Sequence, residues 1–211
     1  MREIWHKVGL LVVAVFCTIG IHAQHFEEEL RLALKEDPKF EFKLDSRNAF
    51  ISNTGVRVFG FKLGLNFDEK LSFGLGYNQL WSRPKNQLYL EGVNYNAEVN
   101  FYYFSPYVEY TFYRDEKWEF SIPVQFGLGE SWYEFERNGN KLSRSRNFVM
   151  SYEPAITVQY TFLKYLGLGA GVGYRLMIVP NHSIEEQFTS PVYIFKFKIF
   201  FQEIYQDLVR E

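Results

Sequence analysis

From residue 39 to residue 201 the chain alternates apolar and polar side chains with a period of two. In 70–82, Leu71, Phe73, Leu75, Tyr77 and Trp81 share one face, while Ser72, Gly74, Gly76, Asn78 and Ser82 share the other. In 54–67, Phe59, Phe61, Leu63, Leu65 and Phe67 stand opposite Gly60, Lys62, Gly64 and Asn66. The same rhythm runs through 117–133, 147–162, 165–178 and 191–201, and less cleanly through 98–113. In 39–47, Phe40, Phe42 and Leu44 face Glu41, Lys43, Asp45 and Arg47. A period of two marks a β-strand with chemically different faces, so these eight segments predict eight strands. Residues 25–38 depart from the rhythm. Phe26, Leu30 and Leu34 recur every four residues, Glu27 to Glu29 fill the first turn and Pro38 ends the run, which predicts a short helix.

The strands are long, running to eleven residues and more. Strands of soluble sheets average ~5–6 residues, whereas crossing a membrane takes ~9–11. Connections at 68–70, 114–116 and 163–164 are tight, while 48–53, 83–97, 136–146 and 180–190 are longer and polar. Long and short alternate strictly, so one end of the array carries the turns and the other the loops. An even strand count puts both termini at the turn end. Pro106, Pro123 and Pro154 fall in three successive strands. Each removes a ladder donor, so a bulge is expected near each.

Composition adds a contradiction that the faces resolve. Aromatic residues make up 19% of the chain, yet mean hydropathy is only -0.22. A net charge of -2 and a pI near 6.1 give no electrostatic reason to expect nucleic acid as a partner. Arg2 and Lys7 precede an apolar run from Val8 to Ile21, which closes on Ile21-His22-Ala23. That run is too short for a membrane helix, which needs ~20 residues, and it fits a secretory leader over 1–23. Cys17, the one cysteine, lies inside the leader, so thiol and disulfide chemistry are not expected of the exported chain. No later stretch is long enough for a membrane helix. A chain of this kind crosses a membrane only as a closed barrel, in which every backbone group is paired.

Bulk decides which face is inside. An eight-stranded barrel has an interior just wide enough to be filled by side chains, and the aromatic-rich face is too large for it. The other face is rich in glycine and carries Glu41, Asp45, Glu109, Glu119 and Glu153 against Lys43, Arg47, Lys62, Arg175, Lys196 and Lys198. These near-balanced charges are expected to line and plug a narrow lumen. The clear charges on the apolar face, Arg57 and Glu130, sit near the long-loop ends of their strands, where a charge costs little. Trp81, Tyr102 and Trp132 then mark an external aromatic girdle, and Trp118, Tyr160, Phe162 and Phe201 a periplasmic one.

On this pattern the chain resembles the small eight-stranded outer-membrane β-barrels of Gram-negative bacteria, of the OmpA/OmpX transmembrane type. The resemblance covers 39–201 and rests on architecture, with strand phrases such as Trp118-Glu119-Phe120-Ser121-Ile122-Pro123 and Gly169-Ala170-Gly171-Val172-Gly173-Tyr174-Arg175. It implies an all-β fold: an antiparallel, up-and-down transmembrane barrel at 39–202. A periplasmic helix at 24–38 precedes it and a periplasmic tail at 203–211 follows. It also implies outer-membrane lipid, lipopolysaccharide and the barrel assembly machinery as partners. Members of the family end at the aromatic residue that closes the last strand. Here ten residues follow Phe201, with Ile204, Tyr205, Leu208 and Val209 at helical spacing. Either Phe201 acts as an internal version of that signal, or the tail covers the periplasmic mouth.

The family includes lipid A acyltransferases and deacylases, so catalysis has to be weighed. Outside the leader the histidines are His25 and His182, and His182-Ser183 lies beside Glu185 and Glu186 in the last long loop. Neighbours on one loop rarely meet nucleophile-base-acid geometry, and the deacylase spacing His-x-Ser is absent. No cluster has metal-ligand spacing, and the glycines at 167–173 alternate as lumen residues do, so neither metal nor cofactor is expected. Loop 136–146 carries Arg137, Lys141, Arg144 and Arg146 against Glu136, which suits either a solvated loop or lipopolysaccharide phosphates. The reading is a non-catalytic envelope protein acting in structure or surface interaction. A secreted β-barrel that binds a small apolar ligand and a lipid A-modifying barrel enzyme are its alternatives. Nothing in the sequence names a further envelope partner.

Overall fold

The computed structural model describes residues 26–200 apart from Asn53 and Glu186. The leader with Cys17, His25, Phe201 and the tail after it therefore lie outside the described residues. Within them, a helix at 26–33 precedes nine antiparallel strands. These are β1 Lys39–Ile51, β2 Thr54–Phe67, β3 Leu71–Leu80, β4 Lys85–Leu90, β5 Val93–Arg114, β6 Trp118–Arg137, β7 Asn140–Leu163, β8 Leu166–Val179 and β9 Ser190–Ile199. The sheet runs β3-β2-β1-β9-β8-β7-β6-β5, and β3 pairs with β5 to close the ring. Eight strands thus form the barrel, in the up-and-down order that alternation and short turns dictate.

The ninth strand, β4, corrects the expectation of an unstructured loop at 83–97. It pairs with β5 from Lys85↔Glu98 to Leu90↔Val93. Glu91 and Gly92, both at positive φ, form the two-residue turn that matches strand twist. The connection at 136–146 is also a hairpin, with β6 and β7 meeting at Asn138-Gly139, again both at positive φ. Asn-Gly between alternating segments is a strong hairpin signal. The connection expected at 48–53 shrinks to a tight turn after the Ile51↔Thr54 pair. Strict long-short alternation of loops is therefore replaced by strands that continue past the barrel. Together β4 and the hairpin ends of β5, β6 and β7 make a four-stranded extension of the sheet.

No register shift occurs at the three prolines. Pro106 stays opposite Leu75, Pro123 opposite Glu109 and Pro154 opposite Val124. On the opposite side of each, two pairs drop out of the ladder and the same register resumes, as between Phe104↔Leu128 and Tyr107↔Gln125. In an antiparallel strand each residue's N–H and C=O address one neighbour only. A proline placed this way interrupts one ladder locally without inserting a residue. The shifts fall elsewhere, at Thr111/Tyr113, Ser131/Tyr133, Met150/Ser151 and Thr161/Leu163.

The outward face is the apolar one. Leu75 is 65% exposed and Phe195 57%, and Phe59, Phe61, Leu63, Phe104, Ile156 and Leu168 are exposed with them. The interior has two storeys, a feature absent from the expectation of a lumen plugged by charge alone. The storey at the tight-turn end, the end expected to face the periplasm, is charged. The storey at the other end, expected to be external, is apolar, built from Ala49, Ile51, Val56, Val58, Leu80, Val99, Phe101, Tyr133 and Val149. Ile184 and Phe188, from the connection between β8 and β9, complete that storey.

Candidate functional site

Alternation on β1 aims Glu41, Lys43, Asp45 and Arg47 inward, and the other barrel strands bring seven more charges to meet them. Glu41, Lys43, Asp45, Arg47, Lys62, Glu109, Glu119, Glu153, Arg175, Lys196 and Lys198 are all buried. They sort into two groups along the axis. In the group nearer the tight turns, Lys43 pairs with Glu41 at 2.7 Å and Glu109 at 3.0 Å, and Lys196 pairs with Glu109 at 2.9 Å. Lys198 spans Glu41 at 3.4 Å and Glu119 at 3.5 Å. Three acids here meet three bases.

The upper group has two acids for three bases. Arg47 pairs with Asp45 at 2.9 Å and Glu153 at 2.8 Å, Arg175 with Glu153 at 2.6 Å, and Lys62 with Asp45 at 3.0 Å. The surplus positive charge lies against aromatic faces. Lys62 sits 4.9 Å from the Tyr107 ring centre, and Arg175 5.4 Å from Phe101 and 5.5 Å from Tyr103, distances at which a desolvated cation-π contact is favourable. Glycine makes the room. Gly64 and Gly74 face each other across β2 and β3, and a Cβ on Gly64 would lie 2.2 Å from the Tyr107 hydroxyl oxygen. That hydroxyl donates to Glu41 at 3.2 Å. Tyr103 and Tyr107 belong to the network, although in sequence they are indistinguishable from the outward aromatics beside them.

Above the charges the apolar storey is covered by residues 180–185 and 187–189. Asn181 holds this cover by donating to the Ser131 carbonyl at 3.0 Å and the Ser145 carbonyl at 2.8 Å. Asn147 donates to Asn181 at 2.8 Å and to the Ser183 hydroxyl at 3.1 Å. The Tyr133 hydroxyl accepts from the Glu185 backbone at 3.4 Å, and Gln187 and Ser52 bond reciprocally. Phe188 packs 5.1 Å from Phe101. Sequence reasoning treated this connection as a polar loop; Ile184 and Phe188 were the signal for a cover. Among the described residues no hydrogen bond or ion pair joins His182 to Ser183 or Glu185; the Ser183 hydroxyl accepts from Asn147 instead. No group of three potential metal ligands occurs among the described residues.

The expected girdle residues other than Phe201 lie on the outer face near the barrel ends. Trp81 is 75% exposed. Tyr102 donates to Glu130 at 3.1 Å, and Arg146 covers the Trp132 ring at 4.3 Å while pairing with Glu130 at 3.6 Å. At the other end Trp118 packs on Tyr160 at 4.8 Å, and Phe162 is exposed. The basic residues of 136–146 are largely answered by acids: Arg137 by Glu91 at 3.0 Å and Lys141 by Glu134 at 3.4 Å. At the tight-turn rim the helix docks on the barrel through Phe26 against Tyr110 and through Glu29, which pairs with Lys70 and accepts from Tyr110.

No protein-family model matches the sequence, and no curated protein matches it either. Solved structures do resemble the fold. Neisserial surface protein A is 14% identical with a TM-score of 0.57, the match covering 78% of this chain and 99% of that one. The N-terminal β-barrel domain of Pseudomonas aeruginosa OprF is 10% identical with a TM-score of 0.46, over 77% and 98%. Ail of Yersinia pestis, solved with the heparin analogue sucrose octasulfate, is 10% identical with a TM-score of 0.46, over 77% and 96%. With its ring of eight antiparallel strands, buried charges and apolar outer belt, the chain has the fold of the small eight-stranded outer-membrane β-barrels.

Proposed function

We propose that this barrel is non-catalytic and closed to conduction, and that it acts in envelope structure or surface interaction through its external sheet extension. The observation that carries this reading is the filled interior. Ion-paired charge occupies the periplasmic storey, apolar side chains occupy the external one, and residues 180–185 and 187–189 lie over the top. An eight-stranded barrel has little width to spare beyond its own side chains, so such an interior leaves no continuous path. The developed surface is instead the extension, which carries Tyr89, Asn94, Asn96, Lys141 and other polar groups into the external medium.

The test has two arms. In planar bilayers the folded barrel is expected to give no steady conductance, and stable open channels would overturn the closed-lumen reading. In intact cells, photo-crosslinkers at Tyr89 and Lys141 are expected to trap a discrete envelope or external partner. Absence of any adduct at both positions, with the barrel present at the surface, would overturn the interaction role.

A further inference from the structure

The cations of the external strands are mostly matched to carboxylates, and Arg57 is not. On β2 its neighbours Val56 and Val58 are buried, so Arg57 points outward, above the exposed Phe59. Its backbone is fixed: the N–H donates to the Ser82 hydroxyl at 2.5 Å, and the carbonyl accepts from Trp81 at 2.7 Å. The guanidinium Nε donates to Asn48 at 3.3 Å. Among the described residues no carboxylate pairs with it. Nearby Arg83, Arg137, Lys141 and Arg146 all have acidic partners.

This side chain borders a groove of about 340 Å³ lined by Asn48, Phe50, Trp81, Ser82 and Tyr193. Tyr193, Asn48 and Arg57 are lateral neighbours across β9, β1 and β2. Opposite Phe50 stands Gly55, where an added Cβ would meet nothing within 4 Å. The groove is therefore open toward the external side. Toward the periplasm it runs into the lipid-facing belt at Phe59, Phe61 and Phe195, with Ser46 between Phe59 and Phe195. Tryptophan and tyrosine at such a rim sit at headgroup level. A guanidinium there, with free terminal nitrogens, amide and hydroxyl groups beside it and no carboxylate opposed, has the chemistry of a phosphate site.

We propose that Arg57, with Asn48 and Ser82, binds a phosphate of the lipid A headgroup, whose acyl chains continue down the belt over Phe59 and Phe61. The proposal rests on an outer-membrane placement and gives lipopolysaccharide a site at Arg57, beside the apolar belt, rather than in the 136–146 hairpin, where Arg137, Lys141 and Arg146 pair with Glu91, Glu134 and Glu130 and Arg144 alone has no carboxylate partner among the described residues.

The test uses the full exported chain in phosphatidylcholine nanodiscs, with retained lipid counted by native mass spectrometry. Three probes are compared: diphosphorylated lipid A, dephosphorylated lipid A and inorganic phosphate. Wild-type protein is expected to retain the diphosphorylated form selectively and to be indifferent to inorganic phosphate. Arg57→Gln should lower retention about tenfold, as loss of one charge-assisted hydrogen-bonded contact implies, and Arg146→Gln should leave it near wild type. Equal retention by Arg57→Gln, or equal binding of dephosphorylated lipid A, would overturn the site. Saturation by inorganic phosphate would overturn the lipid as its occupant. Failure of the wild-type chain to insert into the discs would overturn the outer-membrane placement, a result distinct from inserted barrels that ignore Arg57.

Discussion

Replacing Glu153 by glutamine tests the buried network where it is most concentrated. The Glu153 carboxylate accepts from Arg175 Nε at 2.6 Å, Arg47 Nη1 at 2.8 Å, Gln125 Nε2 at 3.1 Å and the Ser151 hydroxyl at 3.3 Å. Both arginines and the glutamate are at most 2% exposed at their side chains. Glutamine keeps the shape but turns an NH2 group toward donors, and it leaves Asp45 as the one acid for Arg47, Lys62 and Arg175. Breaking a buried pair from one side costs ~3–5 kcal/mol. Equilibrium unfolding in urea from phospholipid vesicles, followed by tryptophan fluorescence, should show that loss for Glu153→Gln. Adding Arg175→Met removes one of the orphaned charges and should recover part of the loss, so the two effects are far from additive. A loss below ~1 kcal/mol, the range of solvent-exposed pairs, would refute the claim that the network is dry and closed.

Three further outcomes follow from the same structure. Leu75→Arg, in the middle of β3 on the outer face, should destabilise the barrel in vesicles by ~2–4 kcal/mol, whereas Trp81→Arg at the rim should cost ~0–1 kcal/mol; equal costs would remove the lipid belt. Phe188→Ala deletes the ring that anchors the cover to Phe101, and limited proteolysis should then cut within 180–189 faster while the heat-modifiable gel shift persists. Unchanged cleavage would show that the cover is held by its hydrogen bonds alone. In the turn between β5 and β6, the Asp115 carboxylate accepts from the backbone of Lys117 at 2.9 Å and Trp118 at 2.8 Å, which holds its pKa below the usual aspartate value. The stabilisation is complete above the ordinary aspartate pKa and fades as pH falls through the lowered one. NMR titration should find the depressed value, and Asp115→Asn should remove that part of the acid dependence.

Strands and faces were legible wherever the two faces differ chemically. Gly60, Lys62 and Gly64 against Phe59, Phe61 and Leu63 admit only one assignment, and the eleven buried charges could be read off the same alternation. The external storey was not legible, because there both faces are apolar. Phe101, Tyr103 and Tyr107 point inward while Tyr102, Phe104 and Val108 point outward, which is why 98–113 alternates poorly in sequence. The same blurring hides Val56, Val58, Val99 and Val149 as interior residues. The hairpin at Asn138-Gly139 had a local signal in its Asn-Gly turn, outweighed by the polarity of its flanks. The prolines misled for a geometric reason: a missing N–H calls for a bulge only where it must pair with a neighbouring strand. Arg57 stood out as a charge on an apolar face, but its lack of a carboxylate partner is a matter of three dimensions.

The account depends on which face meets lipid. Residues 24–211 contain no cysteine, so nitroxide labels can be placed singly at Phe61→Cys, Leu75→Cys, Val108→Cys and Phe195→Cys in vesicles. Collision with oxygen, which concentrates in the bilayer, and with a water-soluble nickel chelate then reports the surroundings of each label. High oxygen and low nickel accessibility at all four is the result expected of a lipid-facing belt. Labels shielded from both reagents would place these side chains in a dry protein core and contradict the barrel as described.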